Sequence, residues 1–122
     1  MCSFFSEHHV LSLATSYKDS ISACSLFYLF IPEEACFLFA SDEKTEHMQY
    51  ISGNPNVACT VHNETKEVMH IKGIQVKGVV KAANEGDEQL YTDAYPYAKE
   101  IKSKRIWKLK ITELKYTDNS LE

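Results

Sequence analysis

No run of apolar residues in this chain is long enough to cross a bilayer. The longest, from Ser25 to Ile31, falls far short of the roughly 20 residues that a membrane helix requires. The opening MCSFFSEHH has an acid and two histidines where a secretion signal needs an apolar core, so the reading is a cytoplasmic protein with no membrane partner. Cysteine is sparse and scattered. Cys2, Cys24, Cys36 and Cys59 form no C-x-x-C pair, and three of them sit in apolar, strand-like runs, which points to reduced, packed thiols. The histidines, at 8, 9, 47, 62 and 70, make no H-x-x-x-H or H-E-x-x-H pairing, so no metal site is expected. Glycine numbers only four, and neither a P-loop nor a dinucleotide fingerprint is present, which removes the usual cradles for nucleoside triphosphates and dinucleotides. A G-x-S-x-G elbow is also missing, and with it the common hydrolase arrangement. Paired acids such as Glu33-Glu34 and Asp42-Glu43 fall at turns, where solvation accounts for them, and no residue is assigned a catalytic role.

Excess positive charge is lacking too. A net charge of −4 argues against a nucleic-acid surface. The basic residues are unevenly placed, however, with Lys99, Lys102, Lys104, Arg105, Lys108, Lys110 and Lys115 supplying seven of thirteen. Alternation with Ile106, Trp107, Leu109 and Ile111 reads as a solvated strand face, although such a cluster can also draw in an anionic ligand.

What is present is ordinary globular material in a length that suits one domain over 1–122: 44% hydrophobic and 25% charged residues, with no repeat or biased segment. Ser3 can cap a short helix that lays Phe4 and Phe5 on the body. Val10 to Thr15 alternates as a strand, and Tyr17 to Ser20 is a hairpin loop. Ile21 to Ile31 is a long strand with Ser22, Cys24, Leu26, Tyr28 and Phe30 on one face, and Pro32 to Glu34 turns it back into Ala35 to Ala40. A helix then runs from about Lys44 to Ile51 and stops at Gly53, followed by strands over Val57 to His62, Glu67 to Ala83 and Arg105 to Thr117. Gly73 and Gly78 fit bulges or sharp coiling of a closed small barrel, the alternative being places where a ligand approaches the backbone. Gly86 to Lys102 has helical period, interrupted at Pro96. The sum is a mainly β protein with two or three helices plugging a small antiparallel barrel.

The chemistry concentrates in residues 35 to 62, ACFLFASDEKTEHMQYISGNPNVACTVH. A polar turn there is gripped between two buried strands. Ser41 or Asp42 can cap the following helix, and Ser41, Lys44, Thr45 and His47 offer hydroxyls, an ammonium and first-turn amides to an anion. The plainer alternative is a capped surface helix with Lys44 in water.

The blocks HVLSLAT at 9 to 15, SLFYLF at 25 to 30, FLFASDEKTEH at 37 to 47, NPNVACTV at 54 to 61, IKGIQVKG at 71 to 78 and IWKLKITELKYTDNSL at 106 to 121 resemble the FMN-binding split barrels. More narrowly, they are similar to a short bacterial family related to pyridoxamine 5'-phosphate oxidase. The resemblance implies a six-stranded antiparallel split β-barrel that forms a homodimer, with FMN in clefts at the interface and a small-molecule substrate that stays unassigned. It implies that Phe39, Ala40 and Ser41 line the isoalloxazine or ribityl side and that Lys44, Thr45 and His47 lie at or near the phosphate. Glu46 departs from the pattern, standing where relatives commonly carry a basic residue. The implied function is a flavin-dependent oxidoreductase. The alternatives are a split-barrel binding protein that has lost its flavin and a haem-binding relative, with the unplaced histidines as candidate ligands.

Overall fold

The structure, a computed structural model, describes residues 2–99 and 104–119. In chain order the elements are α1 (Cys2–Glu7), β1 (Val10–Tyr17), β2 (Ser20–Phe27), β3 (Leu29–Ile31), β4 (Cys36–Asp42), α2 (Glu46–Gly53), β5 (Asn56–His62), β6 (Lys72–Ala82), α3 (Glu85–Ala94) and β7 (Lys104–Asp118). All pairings are antiparallel, in the order β2-β1-β5-β6-β7-β4-β3. The two outermost strands, β2 and β3, are halves of one segment, separated only by Tyr28. The sheet therefore curls until its edges meet on the same stretch of chain, and its seven segments make a barrel of six strands.

The break at Tyr28 interrupts the expected Ile21 to Ile31 strand without turning its face. Cys24, Leu26 and Phe30 still pack on the barrel core, and Tyr28 lies within it. The Tyr28 amide donates to His9 O at 2.9 Å, and its hydroxyl donates to Phe5 O at 2.7 Å, which ties α1 over one end of the barrel. Phe5 and Tyr28 each meet Phe37 edge-on, the favoured geometry for paired rings. Met48 and Ile51 of α2 join the same cluster.

β4 is apolar on both faces because both are covered. Phe37 and Phe39 point into the barrel, while Cys36 and Leu38 belong to a second cluster with Tyr91 of α3. Ile21 at 79% exposure and Phe27 at 60% lie exposed on β2, with Phe27 meeting the Tyr95 ring at its edge of the sheet.

Several expectations need correction. Ser3 lies within α1 rather than before it. α2 starts at Glu46, two residues later than the periodicity suggests, because Thr45 is its N-cap; neither Ser41 nor Asp42 fills that position. Residues 68–70 form a 3-10 turn, so β6 begins only at Lys72. α3 ends at Ala94, and Pro96 opens a 3-10 turn, since proline cannot donate to the preceding helical turn; the expected continuation over 100–102 lies outside the described residues. Gly78 sits at the register shift between β6 and β7, where a Cβ would come within 2.5 Å of Lys110 O and Leu109 Cδ2. Gly73 pairs in unbroken register and marks no bulge. At Gly53 a Cβ would stand 2.2 Å from the Tyr17 ring, so a larger residue there displaces that ring.

The lysine-rich strand also differs in one place. Lys108 is buried, its ammonium 2.8 Å from Asp87 of α3 and 2.9 Å from Glu34. Those two hydrogen bonds hold its pKa well above the usual lysine range against the opposing effect of burial.

Candidate functional site

The end of β4 and the start of α2 are joined by residues 43–45, and hydrogen bonds fix the path between them. The Lys44 amide donates to Asp42 Oδ1 at 2.9 Å, and the Thr45 amide and hydroxyl both donate to Asp42 O, at 3.1 and 2.8 Å. Thr45 Oγ1 then accepts from the Met48 amide at 3.4 Å, which completes the N-cap. The amides of Glu46 and His47, in the first turn, have no intrahelical acceptor and carry the positive end of the helix dipole.

Alternation along β4 sends Ser41 inward, where it is only 4% exposed. Its Oγ lies 2.6 Å from His47 Nε2, and Thr45 Oγ1 lies 3.2 Å from the same nitrogen. Desolvation lowers the His47 pKa, partly opposed by the neighbouring Glu46 carboxylate, so the ring is neutral at pH 7. Lys44 is exposed. Of the six residues expected to line the site, the structure thus brings together Ser41, Thr45 and His47 and places Lys44 on the turn beside them. Phe39 is instead fully buried in the barrel and Ala40 packs toward α3, so the side chains of these two point to opposite sides of β4.

Strand β7 supplies neighbours that sequence alone did not assign to the turn. Ser41 pairs in register with Arg105 and Asp42 with Lys104. Arg105 Nε stands 3.7 Å from Glu43 Oε2, and Trp107 Nε1 donates to Ser41 O at 3.0 Å. Both arrive through the β4-β7 pairing, which links residues more than 60 positions apart and leaves no local signal. The basic cluster around Lys104 and Arg105 was visible, but not its destination. Among the described residues, no group of three or more histidine, cysteine or acidic side chains stands close enough to hold a metal ion, and no helix is long and apolar enough to cross a membrane.

A family model described as pyridoxamine 5'-phosphate oxidase matches residues 1–118. The chain belongs to that family. A UPF0306 protein of Photorhabdus laumondii is 34% identical over 122 residues, covering 97% of this chain and 85% of its own. A UPF0306 protein of Campylobacter jejuni is 32% identical over 118 residues, with 97% and 87% covered. Solved structures share the fold at low identity. HutZ, the haem storage protein of Vibrio cholerae, superposes with a TM-score of 0.78 at 14% identity, covering 93% of this chain and 89% of HutZ. A FAD-binding protein of Mesorhizobium loti gives 0.75 at 13%, with 94% and 89% covered. The pyridoxamine 5'-phosphate oxidase relationship and the mainly β split barrel therefore stand as read from the sequence.

The groups left free at the turn fit a phosphate: one exposed ammonium, an imidazole and the first-turn amides, with the Ser41 and Thr45 hydroxyls holding that arrangement in place. Glu46 is the misfit, though it has a role without any ligand, because an acid in the first turn compensates the helix dipole.

Proposed function

We propose that this protein binds FMN as a cytoplasmic homodimer and serves as a flavin-dependent oxidoreductase for a small molecule. The observation that carries the reading is the convergence of Lys44, Thr45, His47 and the first-turn amides of α2 in a member of the pyridoxamine 5'-phosphate oxidase family. Lys44 supplies a mobile positive charge for the phosphate, Thr45 fixes the turn, and the β4 backbone at Phe39, Ala40 and Ser41 runs beside the ring or ribityl chain. Bound flavin supplies hydride or electron transfer, which no side chain here offers. A second copy of the chain covers the exposed face of β1 and β2, where Ile21 and Phe27 are the prominent apolar residues, and completes the flavin cleft. The purified protein is then yellow, with visible flavin bands, and sediments as a dimer. A colourless monomer that leaves FMN fluorescence unchanged on titration overturns the proposal and favours a barrel without flavin, for which Glu46 is the supporting residue. The haem-binding reading draws on HutZ and on a haem-binding protein of Mycobacterium smegmatis with a TM-score of 0.76 at 15% identity, of which the matched part is 50%. A Soret band on adding haem would mark it.

A further inference from the structure

We propose that Ser41 is a positioning residue for the anion site: its buried hydroxyl sets the tautomer of His47, leaving the ring proton on Nδ1 as a donor for the flavin phosphate. This rests on the FMN reading above. Proton arithmetic around one ring nitrogen carries the inference. A buried hydroxyl must give its proton to an acceptor, and His47 Nε2, 2.6 Å from Ser41 Oγ, is the acceptor that the described residues supply. Thr45 Oγ1 also approaches Nε2, at 3.2 Å, but its proton is directed to Asp42 O at 2.8 Å and it accepts from the Met48 amide.

One nitrogen cannot accept from Ser41 and donate to Thr45 at once. The shorter contact prevails, so the neutral ring carries its proton on Nδ1, for which no acceptor is found among the described residues. The opposite tautomer would leave Ser41 with a buried, undonated proton and present a lone pair on Nδ1, which repels phosphate oxygens. Burial keeps the ring neutral, so its tautomer matters at pH 7. The surrounding charges are consistent with this. Glu46 is the charge acting on His47 from α2. From β7, Lys104 and Arg105 stand in register with Asp42 and Ser41, and Arg105 faces Glu43. Asp42 holds the Lys44 amide. Strands β1 and β2, on which α2 packs, carry no carboxylate, lysine, arginine or histidine.

The test is a long-range proton–nitrogen correlation spectrum of the 15N-labelled protein without flavin, paired with FMN affinity by equilibrium dialysis, for wild type and Ser41→Ala. The expected result is a protonated Nδ1 in wild type, a shift of the proton toward Nε2 in Ser41→Ala, and FMN binding weakened about tenfold in the variant. Protonated Nε2 in wild type overturns the proposal even if FMN binds. Equal FMN affinity of wild type and variant overturns the positioning role while the FMN reading stands. Failure of wild type to bind FMN removes that reading, and the phosphate-donor role falls with it.

Discussion

Two lysines lie on either side of β4 and have opposite fates. Lys108 pairs in register with Leu38, is buried beneath α3, and has its ammonium held by Asp87 and Glu34 at 2.8 and 2.9 Å. Lys44 stands just past the strand's other end, where the backbone amide is held by Asp42 and the side chain extends into solvent. The difference separates a charge engaged within the fold from one left in solvent. An ammonium on a buried side chain, gripped by two carboxylates, secures α3 to the barrel and is withdrawn from any ligand. An ammonium on a turn rigidified through its backbone contributes little to stability and stays available to an anion. In sequence Lys108 lies between Trp107 and Leu109 in an alternating strand and Lys44 lies in a polar turn, and both read as solvated; only the α3 packing tells them apart.

Lys108→Ala gives the largest effect expected. Asp87, its side chain 5% exposed, is left without its ammonium, and stability should fall by about 3–5 kcal/mol in denaturant unfolding. The intact pair also predicts a pH dependence. Because the folded pKa of Lys108 is raised, its contribution is fully present below the unfolded value of 10.5 and is lost as pH rises through the folded pKa. A midpoint unmoved by Lys108→Ala would erase the distinction between the two lysines. Lys44→Ala is the counterpart. It should weaken FMN retention roughly tenfold or more in equilibrium dialysis, as expected for one charge-assisted bond, while stability changes by no more than about 0.5 kcal/mol. Unchanged FMN affinity would remove Lys44 from the site.

Smaller effects sharpen the functional side. Thr45→Ala removes the α2 cap and should cost about 1 kcal/mol of thermal stability, along with order in the turn. His47→Asn tests the imidazole through pH. The folded pKa of His47 is lowered, so the unfolded chain binds the proton more readily and stability declines as pH falls through the unfolded value near 6.5. The variant should lose that decline; an identical pH profile would show that His47 does not titrate as the burial of its ring requires.

Period-two and period-3.6 patterns in the sequence were enough to locate the strands and the approximate helices, because nearly every inward position is apolar. Patterning could not foresee the break at Tyr28, which depends on hydrogen bonds to α1, or the burial of Lys108, which depends on α3 folding over β7. At the turn the residue types were legible, yet their division was not. Phe39 and Ala40 adjoin Ser41 in sequence, but strand alternation and cover on both faces direct their side chains into separate clusters. Arg105 and Trp107 come to the turn only through strand pairing.

The central claim is that the turn between β4 and α2 holds the phosphate of FMN. Parallel fluorescence titrations of the purified protein with FMN and with riboflavin, which differs only in lacking the phosphate, address it most directly. Saturable binding of FMN, with riboflavin at least about tenfold weaker, is the predicted result. Equal binding of both, or of neither, would contradict it.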